Sequence, residues 1–279
     1  MSGEEITSFR SSLTNEEIAS KIDILNDAFS SRGLTIHPQS GMGFSISNAE
    51  EALKNTDPTY QEIFSILQFE RAARAVVAVL DQKNVQLSLR RLLDGSLDFF
   101  DRKPSVAKNT LFELEIYRSL SIRNAVSSLD EPDVLLHINK QTVGFACKKT
   151  YSEANLSKTL SKAVSQIEKS HCEYGVVAFN IDDLLPGGRV LQSTSYDAAG
   201  EIVAGVCNEF LRSHSASFQK YFRGSRIIGA LAFCSVMLDL NDTAFNNFQQ
   251  WYLWVSPEMN DENLAMARNV NQLIQRESV

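Results

Sequence analysis

Three residues of this chain combine types and spacing suited to one chemistry. Asp133 follows Pro132 at the head of an apolar run, Lys148 lies 15 positions further on, and Glu113 sits upstream in a helical segment. Metal-dependent phosphodiester hydrolysis needs carboxylates that hold one or two Mg²⁺ or Mn²⁺ ions against the phosphate, and a positive group near the attacking water. A β-hairpin arranges such groups economically. An acid on one strand faces an acid-x-cation triplet on the next, because residues i and i+2 share a face. Here the triplet reads Ala146-Cys147-Lys148, so the acid two residues before the lysine is missing.

The elements that must position these residues can be read from periodicity and punctuation. A helix capped by Asn109 or Thr110 and running to about Ile122 carries Phe112, Ile116, Tyr117 and Leu120 as its apolar face, at about 100° per residue. Glu113 projects from the middle of that face, which is costly for a carboxylate without a partner or a metal. Glu115 lies nearer the polar edge. Asp133 to Ile138 reads as a strand, Asn139 to Gln141 as a hairpin tip and Thr142 to Lys149 as the returning strand. Asn155 opens a second helix to about Lys169, Glu173 to Ile181 is a third strand, and Arg226–Leu238, Phe248–Val255 and a helix from about Asp261 complete the chain. Residues 1–104 read as a helical N-terminal region. It has starts at Asn15-Glu16-Glu17 and Asp57-Pro58, a turn-rich linker from His37 to Gly43, and a hinge at Asp101 to Pro104.

This order of elements, with Glu113, Pro132-Asp133, Ala146-Cys147-Lys148 and Gln166, resembles the PD-(D/E)xK nuclease superfamily, including uncharacterised bacterial members with an Ala-Cys-Lys variant of the motif. The resemblance covers about 75 of the 279 residues. It implies an α/β fold, a restriction-endonuclease-like α-β-β-β-α-β core with a mixed sheet within residues 105–279. It also implies a Mg²⁺- or Mn²⁺-dependent nuclease, or a nuclease-derived DNA-processing protein, in a restriction, repair or phage-defence setting. Glu113 and Asp133 would hold the metal, Lys148 would orient the water and stabilise developing charge, and Gln166 would position the water or the backbone.

Net charge is −7, which argues against indiscriminate polyanion binding. Residues 101–170 nevertheless carry 11 Lys and Arg against 8 Asp and Glu, while the flanks are acidic. Lys158, Lys162, Gln166 and Lys169 fall on one stripe of the second helix, opposite Leu156, Leu160, Ala163, Val164 and Ile167. With Lys148 and Lys149 this stripe would contact the phosphates of nucleic acid, DNA being the expected partner. A lysine stripe is also what an ordinary solvated helix face looks like.

Blander readings stand beside each residue. Glu113 fits a Thr110-x-x-Glu113 capping box, Glu115 and Arg118 an exposed i, i+3 ion pair, Asp133 a turn. Glu153 is a weaker substitute for the missing acid. Cys147, Cys172, Cys207 and Cys234 are scattered singly in apolar surroundings, His37, His137, His171 and His214 show no metal-ligand spacing, Asp182-Asp183 read as loop starters, and Leu185 to Arg189 reads as a turn. No run is apolar enough for a membrane span, and Met1 to Glu5 has neither the basic nor the apolar region of a secretory signal, so a cytoplasmic protein is expected. The rival to the enzyme is a catalytically inactive nuclease-fold protein acting as a binding or scaffold module. Its Lys148 would sit in a structural network, and the apolar C-terminal strands or the helical N-terminal region would serve a protein partner; a homodimer would instead suit double-strand cleavage by the enzyme. Convergence of Glu113, Asp133 and Lys148 on an open cleft favours the enzyme; burial of Lys148 against one of these carboxylates with no room for a metal favours the rival.

Overall fold

The computed structural model describes residues 14–55, 58–185, 190–240 and 245–275. The secretory-signal reading at Met1 to Glu5, Asp57 of the expected helix start, and 186–189 of the expected turn lie outside them. Four helices come first: α1 (Asn15–Ser30), α2 (Gly41–Ala52), α3 (Tyr60–Val77) and α4 (Val85–Leu92). Thr14 with Glu17 and Thr59 with Glu62 form capping boxes at the heads of α1 and α3. The expected linker from His37 to Gly43 is shorter than read, because α2 begins at Gly41 behind the Ser40 cap. A Cβ on Gly43 would lie 2.0 Å from the His37 carbonyl oxygen, so close chain packing, not a turn, explains this glycine.

The remaining elements are α5 (Val106–Ser121), β1 (Ser127–Asp130), β2 (Asp133–Ile138), β3 (Gln141–Lys149), α6 (Leu156–Lys169), β4 (Tyr174–Asn180), β5 (Val190–Gln192), α7 (Tyr196–Ser213), α8 (Ser215–Phe222), β6 (Ile227–Asp239), β7 (Phe245–Trp254) and α9 (Asp261–Ile274). Helix α5 starts earlier than Asn109. Ser105 accepts the hydrogen bond from the Lys108 N–H and is the cap, which places Glu113 mid-helix and removes the Thr110–Glu113 capping box.

The sheet is mixed. Strands β1, β2 and β3 are antiparallel neighbours, β3–β4 and β4–β6 are parallel, and β6 also carries β5 in parallel and β7 antiparallel. Two-residue periodicity divides its side chains between two cores. Val143, Phe145 and Cys147 of β3 and Val176 and Ala178 of β4 belong to one cluster, which reaches Ile18, Phe69, Leu111 and Val270 on the helices. Ala146, Val177 and Phe179 belong to the other, against Leu160, Ala163 and Ile167 of α6 and Phe210 and Phe218 of α7 and α8. The fold is therefore α/β, with helices on both faces of a mixed sheet. The N-terminal helices share one continuous core with the strands. No described helix is long and apolar enough to cross a membrane.

Candidate active site

The β2–β3 hairpin is closed by Asn139 and Lys140 at positive φ (49° and 70°), the geometry of a two-residue turn that keeps the strands in tight register. The register pairs Val134 with Phe145, so Asp133 at the head of β2 lies opposite Ala146. Its carboxylate is held on three sides. Oδ2 accepts from the Cys147 N–H at 2.7 Å and lies 3.5 Å from Lys148 Nζ, and Oδ1 accepts from Gln166 Nε2 at 3.0 Å. Lys148 Nζ donates to Gln166 Oε1 at 2.7 Å, and Gln166 Nε2 also donates to the Pro132 carbonyl. Asp133, Lys148 and Gln166 thus form a closed network at the end of the hairpin. The side chains of Asp133 and Lys148 are 12% and 21% exposed, so the network touches solvent without being open.

Glu113 approaches from α5. With Asp133 it lines a cleft of about 390 Å³ between α4, α5 and the β1–β2 turn, whose other charged residues are Lys83, Arg91, Asp130 and Glu131. Burial, then the Asp133 charge, pushes the Glu113 carboxyl up to about 8, against the pull of Arg91 and Lys148. Burial also raises Asp133, while Lys148 and the hydrogen bonds from Cys147 and Gln166 oppose it. Among the described residues Glu113 makes no hydrogen bond or ion pair. Two carboxylates that repel one another across a cleft form a donor set suited to a hard cation. Mg²⁺ commonly takes one or two carboxylates and fills its remaining positions with water and phosphate oxygens. Both Asp133 oxygens retain acceptor capacity for it. No group of three or more His, Cys, Asp or Glu side chains among the described residues is arranged for a metal.

Lys148 stands behind Asp133 and is not among the residues lining the cleft. The expected convergence therefore holds for Glu113 and Asp133, while Lys148 reaches the site through Asp133 and Gln166. Ala146 is fully buried in the core against α6 and is not among the residues lining the cleft.

Lys149 does not join the basic surface. Adjacent strand residues face opposite sides, and its side chain, 2% exposed, lies 2.9 Å from Asp183 Oδ2 and 2.8 Å from Asn180 Oδ1. That corrects its expected contact with phosphate. Lys158, Lys162 and Lys169 are exposed on α6, but Gln166 turns inward. Glu153 bonds His214 Nε2 at 3.1 Å and takes no part in the site. Glu115 is also not the exposed partner of Arg118. It is 2% exposed and binds the Arg71 guanidinium through both oxygens.

Sequence reasoning missed Arg91 and Lys83 because it placed no helix there. The signal was Val85, Leu89 and Leu92 at helical spacing, which bury one face of α4 and leave Arg91 to flank the cleft. It also missed the role of Asp182 and Asp183, which are buried at the end of β4. No protein-family model matches the chain, and no curated protein matches it significantly.

Proposed function

We propose that the protein is a Mg²⁺-dependent nuclease, or a nuclease-derived DNA-processing protein, built on a restriction-endonuclease-like core. The observation that carries this reading is the pair Glu113 and Asp133 on one cleft, with Lys148 and Gln166 bonded to Asp133 from behind. Glu113 and Asp133 would hold the ion, which when bound supplies Lewis-acid polarisation of the phosphate and a more acidic water. Lys148 holds a positive charge 3.5 Å from Asp133, where it lowers the cost of negative charge accumulating at the cleft wall. Gln166 fixes the Asp133 carboxylate by donating to Oδ1 and to the Pro132 carbonyl. Lys158 and Lys162, exposed on α6, offer phosphate contacts of the sequence-independent kind.

One observation favours the inactive relative. Lys148 is occupied by Gln166 and Asp133, and Ala146 offers no third oxygen. Under that reading the network locks the hairpin, and the protein acts through binding.

Calorimetry with Mn²⁺ and Mg²⁺ followed by plasmid nicking separates the two. The nuclease reading expects saturable metal binding that Asp133→Asn abolishes, and nicking that Lys148→Ala reduces about 10²-fold or more. Absence of both metal heat and nicking in the wild type would sink it and leave the binding module.

A further inference from the structure

A second charged site lies on the same side of the sheet as α3 and α5. A cavity of about 110 Å³ is lined by four arginines, Arg71, Arg74, Arg118 and Arg123, and by two carboxylates, Glu70 and Glu115. The carboxylates are already committed. Glu115 binds Arg71, which also donates to Asp182 Oδ2 at 2.9 Å. Glu70 is fully buried and takes Arg74, Lys21 at 3.2 Å and the Asn247 amide at 3.1 Å. Arg123 donates to the carbonyls of Ser119 and Ile274, with its guanidinium carbon 4.8 Å from the centre of the Trp251 ring.

Arg118 differs from these. It is half-buried, yet among the described residues its side chain makes no hydrogen bond and no ion pair. Its charge is felt by three neighbours. Burial and then repulsion from Arg118 push the Arg74 guanidinium down to about 10, and the same two causes lower Arg123. Lys21 is lowered by burial, by Arg74 and by Arg118. Burial outweighs the pull of Glu115 and lowers the Arg118 guanidinium, so a further anion in the cavity would stabilise it.

Arg74 and Arg118 also line a groove of about 600 Å³ with Lys21, Glu16 and Glu17, whose apolar walls include Ile24, Val77, Ala78 and Ile122. The inner cavity is too small for more than a charged head. The groove has the size of an ordinary small-molecule site. The mixed lining of Lys21, Glu16 and Glu17 beside the two arginines suits a single compact anion better than an extended polyanion. Guanidinium forks match the oxygens of phosphate in bidentate fashion.

We propose that the cavity between α3, α5 and β7 binds a phosphate-class oxyanion, free or as the head of a small monoester, with Arg118 as its principal partner. This site is separate from the Glu113–Asp133 cleft and does not depend on the nuclease reading.

Calorimetric titration of the full chain at low ionic strength with inorganic phosphate and with deoxyadenosine 5′-monophosphate tests it. The expected result is one-site saturable binding, weakened about tenfold or more by Arg118→Gln and unchanged by Arg212→Gln, which alters an exposed arginine on α7. Arg118→Gln should fold, with a phosphate-free Tm no lower than wild type, because it removes a charge that repels its neighbours. Arg118→Lys keeps the charge without the fork and should bind at an intermediate level. Tighter binding of the monophosphate assigns the groove to the organic group, and equal binding assigns the ion itself as ligand. No saturable binding of either probe, or equal losses in Arg118→Gln and Arg212→Gln, would overturn the proposal.

Discussion

A glutamate that keeps its proton to about pH 8 leaves a trace in stability as well as in chemistry. The unfolded chain releases the Glu113 proton near 4.5, whereas the folded chain holds it to about 8. The native state therefore binds more protons across that window, and stability falls as pH rises through it. The contribution reaches about 1.4 kcal/mol per pH unit. Urea unfolding of wild type and Glu113→Gln between pH 5 and 8 should show the flatter profile in the variant. An unchanged slope would mean that another group carries it. At this scale the sequence was informative about Glu113, Asp133 and Lys148, because each is unusual for its place in an apolar element. It was misleading about Lys149 and Glu115, since a residue's partner across the fold is invisible in its neighbours along the chain.

Among the elements, the β2–β3 hairpin is what delivers the site, and one glycine controls how closely it sits. A Cβ on Gly144 would come within 2.7 Å of both Pro132 Cδ and Cys172 Sγ. Pro132 precedes Asp133 and accepts from Gln166, so this approach fixes where the carboxylate lies. Gly144→Ala should cost about 1–3 kcal/mol in urea unfolding through overpacking. It should also weaken any metal binding that depends on Asp133, whereas Gly205→Ala, on α7 where a Cβ meets nothing within 4 Å, should lower neither stability nor metal affinity. Strands β2, β3, β4, β6 and β7 and helices α6 and α9 were legible within a few residues, since hydrophobic runs and amphipathic stripes announce them. Helices α7 and α8 and the short strand β5 went unread. The three residues of β5 carry too little pattern, and the 18 of α7 were passed over although Ala199, Val203, Cys207, Phe210 and Leu211 bury one face.

For the whole molecule, the feature joining the N-terminal helices to the sheet is a buried ionic network. Arg71 of α3 bridges Glu115 of α5 and Asp182 at the end of β4. Gln249 of β7 donates to Glu115 at 3.0 Å, and the Ser235 N–H donates to Asp182 at 2.7 Å. Burial acts against the Arg71 charge, but Glu115 and Asp182 outweigh it and hold its pKa above the ordinary value. Burial acts equally against Asp182, yet Arg71, Lys149 and the hydrogen bonds keep its carboxyl below its usual range. Removing the arginine strands two buried carboxylates, so Arg71→Met should destabilise by about 3–5 kcal/mol. The loss should appear together in helical circular dichroism and in fluorescence of Trp251 and Trp254, because helices and strands share one core. Separate transitions by the two probes would show that the N-terminal helices unfold alone.

The class of fold and the hairpin that carries Asp133 and Lys148 are written in the order of residues along the chain. Both follow from local rules: side-chain alternation along strands, amphipathic spacing along helices and the residues that punctuate them. Which charges meet depends on how the chain packs. Packing sent Lys149 and Lys148 to opposite faces, bound Glu115 to an arginine 44 positions away, placed Glu113 across a cleft from Asp133, and set Arg118 beside a cavity, with no hydrogen bond or ion pair among the described residues. Those pairings join α3, α5, β3, β4 and β7, and only the packing of helices against the sheet brings these elements together.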